Sequence, residues 1–250
     1  MVFDLKQEIF ETGNIDGLCQ KAAELIIEAG REAVLKRGRF TLVLTGGGTV
    51  QNLYRYLVEN ASESDLKEIW ARTDFFLGDE RFVPETDPDS NGAMVRSLLL
   101  EPLGVADSRI FMVPTDFGSP EAGAAEYENT LRHFFSKEFG ATHLPTFDLV
   151  LLSMGSDGHV ASLFPGTEAL TEKKKWVTTS FPLNLTPAVD RITLTMPVIN
   201  QARHMVLLVK GGAKKAIARR IHTEPSAAVG IYPASQLKAD GRNIWLLADD

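Results

Sequence analysis

Short apolar runs that stop at glycine recur along this chain, and they restrict its fold more than any other feature. Phe40-Thr41-Leu42-Val43-Leu44 ends in Thr45-Gly46-Gly47-Gly48-Thr49; Phe147 to Leu152 ends in Ser153-Met154-Gly155-Ser156-Asp157-Gly158; Met205 to Val209 ends in Lys210-Gly211-Gly212. Runs of this length and composition read as strands buried on both faces, the signature of parallel sheet. Helical spacing follows the first and third junctions, in Val50 to Leu57 and in a segment with Ala216, Ile217 and Ile221 on one face. Strand, glycine turn and helix in repetition imply an α/β fold: a mostly parallel sheet with helices on both faces. The remaining segments fit. An amphipathic helix is expected from Asp16 to Lys36, a strand within Trp70 to Gly78, and a helix capped by Ser90-Asn91 running to about Leu100. A strand at Ile110 to Val113, a helix from Pro120 to Lys137, a strand at Arg191 to Thr195, a short helix opened by Pro197 and a last strand at Asn243 to Ala248 complete the pattern.

The chain has 250 residues and 44% hydrophobic composition, enough for one core, and no linker, repeat or low-complexity stretch divides it. A single domain over 1–250 is expected. The first ten residues are polar and mixed in charge, unlike a signal peptide or membrane span, so the expected location is the cytoplasm. Cys19, the sole cysteine, falls in the first helix and reads as core filler rather than nucleophile. A net charge of -7 argues against nucleic acid or an anionic membrane as partner, so any anionic ligand needs a local basic site.

Such a site is suggested where the strands end. Gly46, Gly47, Gly48 and Thr49 lie between a strand and a helix N-terminus, an arrangement that turns backbone N–H groups toward an anion. The loop lacks the lysine of a nucleotide P-loop and the spacing of a dinucleotide fold, which points to a small phosphate ester. Asp79 and Arg81 follow the strand within Trp70 to Gly78; an arginine offers a fork of donors to phosphate, and an aspartate accepts from sugar hydroxyls. Lys214 sits in the first turn of a later helix, where a solvated lysine is as natural as a ligand contact. Asp157 and His159 end the central strand; a carboxylate that fixes the imidazole tautomer leaves the other nitrogen free to take a proton from water. No metal is expected, because His159 has no second histidine at ligand spacing, and His133 and His143 read as structural or surface residues.

Asp79-Glu80-Arg81-Phe82-Val83-Pro84 with Ser90-Asn91, Gly155-x-Asp157-Gly158-His159-x-Ala161-Ser162-Leu163-Phe164-Pro165, Arg191-Ile192-Thr193 and Gly211-x-x-Lys214 together resemble the 6-phosphogluconolactonases. The resemblance implies a modified Rossmann-like α/β fold, hydrolysis of 6-phospho-D-glucono-1,5-lactone in the oxidative pentose phosphate pathway, and no required cofactor. It implies His159 as the base that activates water and Asp157 as its orienting group. The glycine loop, Arg81 and Lys214 would hold phosphate, with Asp79, Asn91 and Arg191 available to sugar or phosphate. The partner is then a phosphorylated sugar lactone, and the chain is expected as a monomer or weak homo-oligomer. Four positions depart from the family pattern: Gly48 stands for serine, Val50 for proline, Ser153 for glycine and Val160 for threonine. An amino-sugar phosphate deaminase or isomerase is the nearest alternative, but those enzymes place a glutamate where this chain has Phe164. A non-catalytic sugar-phosphate sensor is the other, although no spare basic DNA-binding segment precedes Phe40.

Overall fold

The computed structural model describes residues 7–61, 64–139, 144–183, 185–239 and 241–249; His143 lies outside them. In chain order the elements are β1 (Gln7–Gly13), α1 (Ile15–Arg37), β2 (Phe40–Leu44), α2 (Gly48–Glu59), α3 (Ser64–Ala71), β3 (Thr73–Leu77) and β4 (Asp79–Arg81). Then come α4 (Asn91–Val95), prolonged as a π-helical turn over Arg96–Leu100, β5 (Ile110–Phe111), α5 (Pro120–Phe139) and β6 (Leu149–Ser153). The chain closes with β7 (Val177–Ser180), β8 (Arg191–Leu194), α6 (Met196–Asn200), β9 (His204–Lys210), α7 (Gly212–Thr223), α8 (Pro225–Ala228) and β10 (Arg242–Ala248).

Seven strands form a parallel sheet in the order β1-β10-β9-β6-β2-β3-β5, and β4-β8-β7 form a small antiparallel sheet beside it. The α/β architecture with a mostly parallel sheet is as expected, and helices pack around that sheet. Two differences from the sequence reading concern the edges of the large sheet. β1 was not anticipated, because an edge strand with Gln7, Glu8 and Glu11 carries no apolar run; its residues are half-buried apart from the exposed Glu11 and Gly13, and Glu8 and Glu11 pair with Arg242 and with Arg219 and Lys215. The strand expected over Ile110 to Val113 ends at Phe111, an edge position with Pro114 close behind, where proline has no N–H for a ladder. Among the described residues, no helix is long and apolar enough to cross a membrane.

The order of strands sets the position of a crevice. From β2 the sheet grows outward through β3 to β5, and from β6 it grows the other way through β9 and β10, so β2 and β6 flank the point where direction reverses. Loops at the carboxyl ends of such neighbours diverge and leave a cleft for a ligand. Their strands are rigid there. β2, β3 and nearly all of β6 are fully buried, and two tyrosines pin strand ends. The Tyr54 hydroxyl donates to Thr45 O at 2.7 Å and accepts from Thr45 N at 3.2 Å, while Tyr127 does the same for Leu77 at 2.9 and 3.1 Å. Burial raises both phenol pKa values, so the hydroxyls stay protonated and keep donating. Tyr127→Phe strands a buried N–H and a buried carbonyl at the end of β3. A stability loss of about 1–3 kcal/mol is expected, read as a shift in the denaturant midpoint at constant slope.

Cys19 is buried among the helices and sheet, and burial pushes its thiol up to about 11, which keeps it unreactive at neutral pH.

Candidate active site

A cleft of about 290 Å³ opens at the carboxyl ends of β2 and β6, lined by polar groups from five strand-end segments. Gly47, Gly48 and Thr49, Asp79 and Arg81, His159, Arg191, and Lys214 all border it. So do Ser153, Ser162, Phe164 and Thr186, which the sequence had not marked as site residues.

The histidine is held on all sides. Gly155 and Gly158 allow a tight turn after β6, with Gly155 N–H donating to His159 O at 2.9 Å and Gly158 N–H to Gly155 O at 3.1 Å. A side chain at Gly155 would collide with the His159 ring, its Cβ falling 2.0 Å from Cε1, so glycine is required for the imidazole to sit where it does. Gly158 adopts φ +79°, and a Cβ there would meet Tyr232 at 2.8 Å. Asp157 Oδ1 lies 2.5 Å from His159 Nδ1 and accepts the His159 backbone N–H at 3.1 Å. With Nδ1–H donating to Asp157, Nε2 carries the free lone pair. The Phe164 ring meets the imidazole edge to face with centroids 4.8 Å apart. Burial of Asp157 opposes its charge, but the hydrogen bond and charge of His159 and backbone N–H donors outweigh that and hold the carboxyl below the usual carboxylate range. Asp157 itself stands behind the ring rather than in the cleft wall.

At Gly78 the chain leaves the large sheet and enters the small one, with Gly78 N–H on Leu44 O and Leu194 N–H on Gly78 O, both at 2.8 Å. Alternation along β4 then sends Asp79 and Arg81 one way and Glu80 the other. Asp79 Oδ2 accepts from Ser162 Oγ at 2.7 Å, joining β4 to the histidine loop. Glu80 is buried and accepts N–H donors from Arg81, Asn91 and Gly92 at 2.7, 2.7 and 2.6 Å, with Ser90 Oγ at 3.1 Å. It thereby fastens the start of α4 to β4.

Arg81 pairs in register with Arg191 on β8, so two guanidiniums lie side by side. Arg81 is held by the Asp89 carbonyl, and Arg191 Nη2 donates to Pro187 O at 2.8 Å. Arg191 Nε and Nη1 are buried with no hydrogen-bond partner among the described residues. Burial, then the charge of Arg81, draws the Arg191 pKa below its ordinary value, against the opposing pull of Asp79, Asp89 and Glu80. A buried guanidinium with unused donors, beside the half-buried one of Arg81, calls for an anion. Across the cleft, the glycine loop leads straight into α2, with Gly47 at φ +105° as its N-cap, and Lys214 comes from the first turn of α7.

Two predicted contacts fall behind the wall. Asn91 is buried; its Nδ2 donates to Asp79 O at 3.0 Å, and its amide stands where a Cβ on Gly46 would be. Gly46 is therefore a packing glycine, and Asn91 a brace between Asp79 and the loop. Its N-cap neighbour Ser90 accepts from Ala93 N–H at 3.1 Å, as the local sequence indicated.

Residues 13–245 match the family described as glucosamine-6-phosphate isomerases/6-phosphogluconolactonase. The chain is similar to the 6-phosphogluconolactonase of Synechocystis sp., 38% identical over 92% of this chain and 90% of the relative. That of Nostoc sp. is 35% identical over the same shares. Among solved structures, 6-phosphogluconolactonase from Leishmania guyanensis superposes with a TM-score of 0.84 at 30% identity, covering 97% of this chain and 96% of that one.

Proposed function

The chain belongs to the glucosamine-6-phosphate isomerase/6-phosphogluconolactonase family, and from that premise we propose that its cleft hydrolyses 6-phospho-D-glucono-1,5-lactone to 6-phosphogluconate, the lactone step of the oxidative pentose phosphate pathway, with His159 as general base. One observation carries the assignment of roles: a histidine oriented by Asp157 at 2.5 Å shares a single cleft with a buried arginine that has two donors unused among the described residues. The phosphate goes to Arg81, Arg191 and Lys214 and to the N–H groups of Gly47, Gly48 and Thr49. Anchoring that end holds C1 of the lactone near His159, and such positioning supplies a large part of the rate.

In the reaction, Nε2 of His159 takes a proton from water as its oxygen bonds to C1. The carbonyl pair moves onto oxygen, and Asp157 steadies the imidazolium. Collapse of the tetrahedral intermediate breaks the bond from C1 to the ring oxygen, which recovers the proton from His159. The products are a carboxylic acid and a free hydroxyl on one open chain. Asp79, fixed by Ser162, is available to sugar hydroxyls. Phe164 favours this chemistry over amino-sugar deamination, since it occupies the place at which a carboxylate would relay protons for ring opening. The working form we propose is one α/β domain, as a monomer or weak homo-oligomer. We assign the reaction to the cytoplasm, where a charged phosphorylated sugar is retained by the membrane.

Acid release from freshly prepared 6-phosphogluconolactone, measured against the enzyme-free rate, tests the reading. Clear acceleration is expected, with little for unphosphorylated gluconolactone. Ammonia from glucosamine 6-phosphate, without lactone hydrolysis, would assign the chain to the deaminase branch instead.

A further inference from the structure

Ser153 is the last residue of β6, and its hydroxyl points across the reversal point of the sheet to donate to Gly46 O at 3.1 Å. We propose that Ser153 is a positioning residue for phosphate binding: it clamps the Gly46–Gly47 peptide and so holds the glycine loop in its anion-binding form. This rests on the lactonase reading of the cleft.

The loop needs such a clamp. Gly47 has φ +105°, open to glycine in several alternative forms, and Gly48 has nothing within 4 Å of where its Cβ would lie. Gly48 also lacks the hydroxyl that the family pattern places there, so the backbone N–H groups carry more of the anion binding. Because a peptide is planar, fixing the Gly46 carbonyl fixes the Gly47 N–H on its opposite side. The preceding residue is already set by Tyr54 on both polar groups of Thr45, and the Asn91 amide packs against Gly46 Cα. Ser153 supplies the restraint from the β6 side, from a residue that itself lines the cleft. With glycine at 153, the family's usual residue, this hydrogen bond does not form. The serine thus restores by order what Gly48 loses in donors.

Ser153→Ala tests the proposal through steady-state kinetics and calorimetric titration with inorganic phosphate. Loss of one neutral hydrogen bond predicts a three- to tenfold rise, as an order of magnitude, in both KM for the phosphorylated lactone and Kd for phosphate. The kcat should stay within about twofold, since His159 is untouched, with only the small fall in melting temperature that loss of one part-buried hydrogen bond brings. Unaltered phosphate affinity, or a fall in kcat at constant KM, overturns the proposal. Phosphate binding is read whether or not lactone is turned over, so failure of the clamp and failure of the lactonase reading give different results.

Discussion

Replacing His159 with alanine is expected to lower kcat by about 10³-fold, in the middle of the range for a positioned general base, while 6-phosphogluconate still binds. The imidazole is the one group in the cleft whose partner on one nitrogen leaves the other basic, and Asp157 supplies that partner at 2.5 Å. The groups proposed to hold phosphate come from other segments, β4, β8 and the starts of α2 and α7, so product affinity measured by calorimetry should change little. Equal loss of affinity and turnover would make His159 a ligand contact and remove it as base. Asp157→Asn should cost less, since the ring stays in place but loses the charge that fixes its tautomer. The pH profile carries a matching sign. Asp157 is held below the usual carboxylate range, so it stays ionised through the neutral region, and its contribution to folding is present there. That contribution fades only as pH falls through the lowered value. A drop in rate at mildly acid pH therefore does not report loss of Asp157.

How much of this was legible in the sequence depended on where each residue found its partners. Strands β2, β6 and β9 announced themselves because both faces are buried, and the glycines at their ends marked the junctions that become the cleft. Asp157 and His159 were readable together, being two residues apart on one turn. Arg81 and Arg191 were each noticed, yet their register pairing in a small antiparallel sheet joins distant segments and left no local trace. Asn91 misled for a related reason. Its N-cap setting was visible, but its side chain is used on the Asp79 carbonyl, a contact that only the packed α4 creates. Ser162 and Tyr54 were missed too, although a tyrosine at a core position of a helix signals a hydroxyl that needs a buried partner. Ser153 stood in view as a polar residue closing an apolar run; what it bonds to depended on β2 and β6 being neighbours.

Arg191→Met is expected to separate folding from binding. For folding alone Arg191 is a burden: it is buried, faces Arg81 across the ladder, and has no partner for Nε or Nη1 among the described residues. Each buried donor without a partner costs on the order of 1–3 kcal/mol, and cross-strand like charges add to that. Methionine fills similar volume without the charge, at the loss of the single bond to Pro187 O. The variant should therefore melt at the same temperature as the parent or higher. Binding should suffer in proportion, because a phosphate dianion then meets one guanidinium fewer in a desolvated wall. Removing one partner of a buried charge pair costs about 2–5 kcal/mol, which places the rise in KM at about 30-fold or more. Inorganic phosphate supplies the control. At saturating concentration, 100 times its Kd, it should stabilise the parent by about 2.7 kcal/mol and the variant hardly at all, seen as a shift in melting temperature present in one and missing in the other. If Arg191→Met melts lower and keeps its KM and its response to phosphate, the guanidinium belongs to the fold, and the anion is held by Arg81, Lys214 and the glycine loop without it.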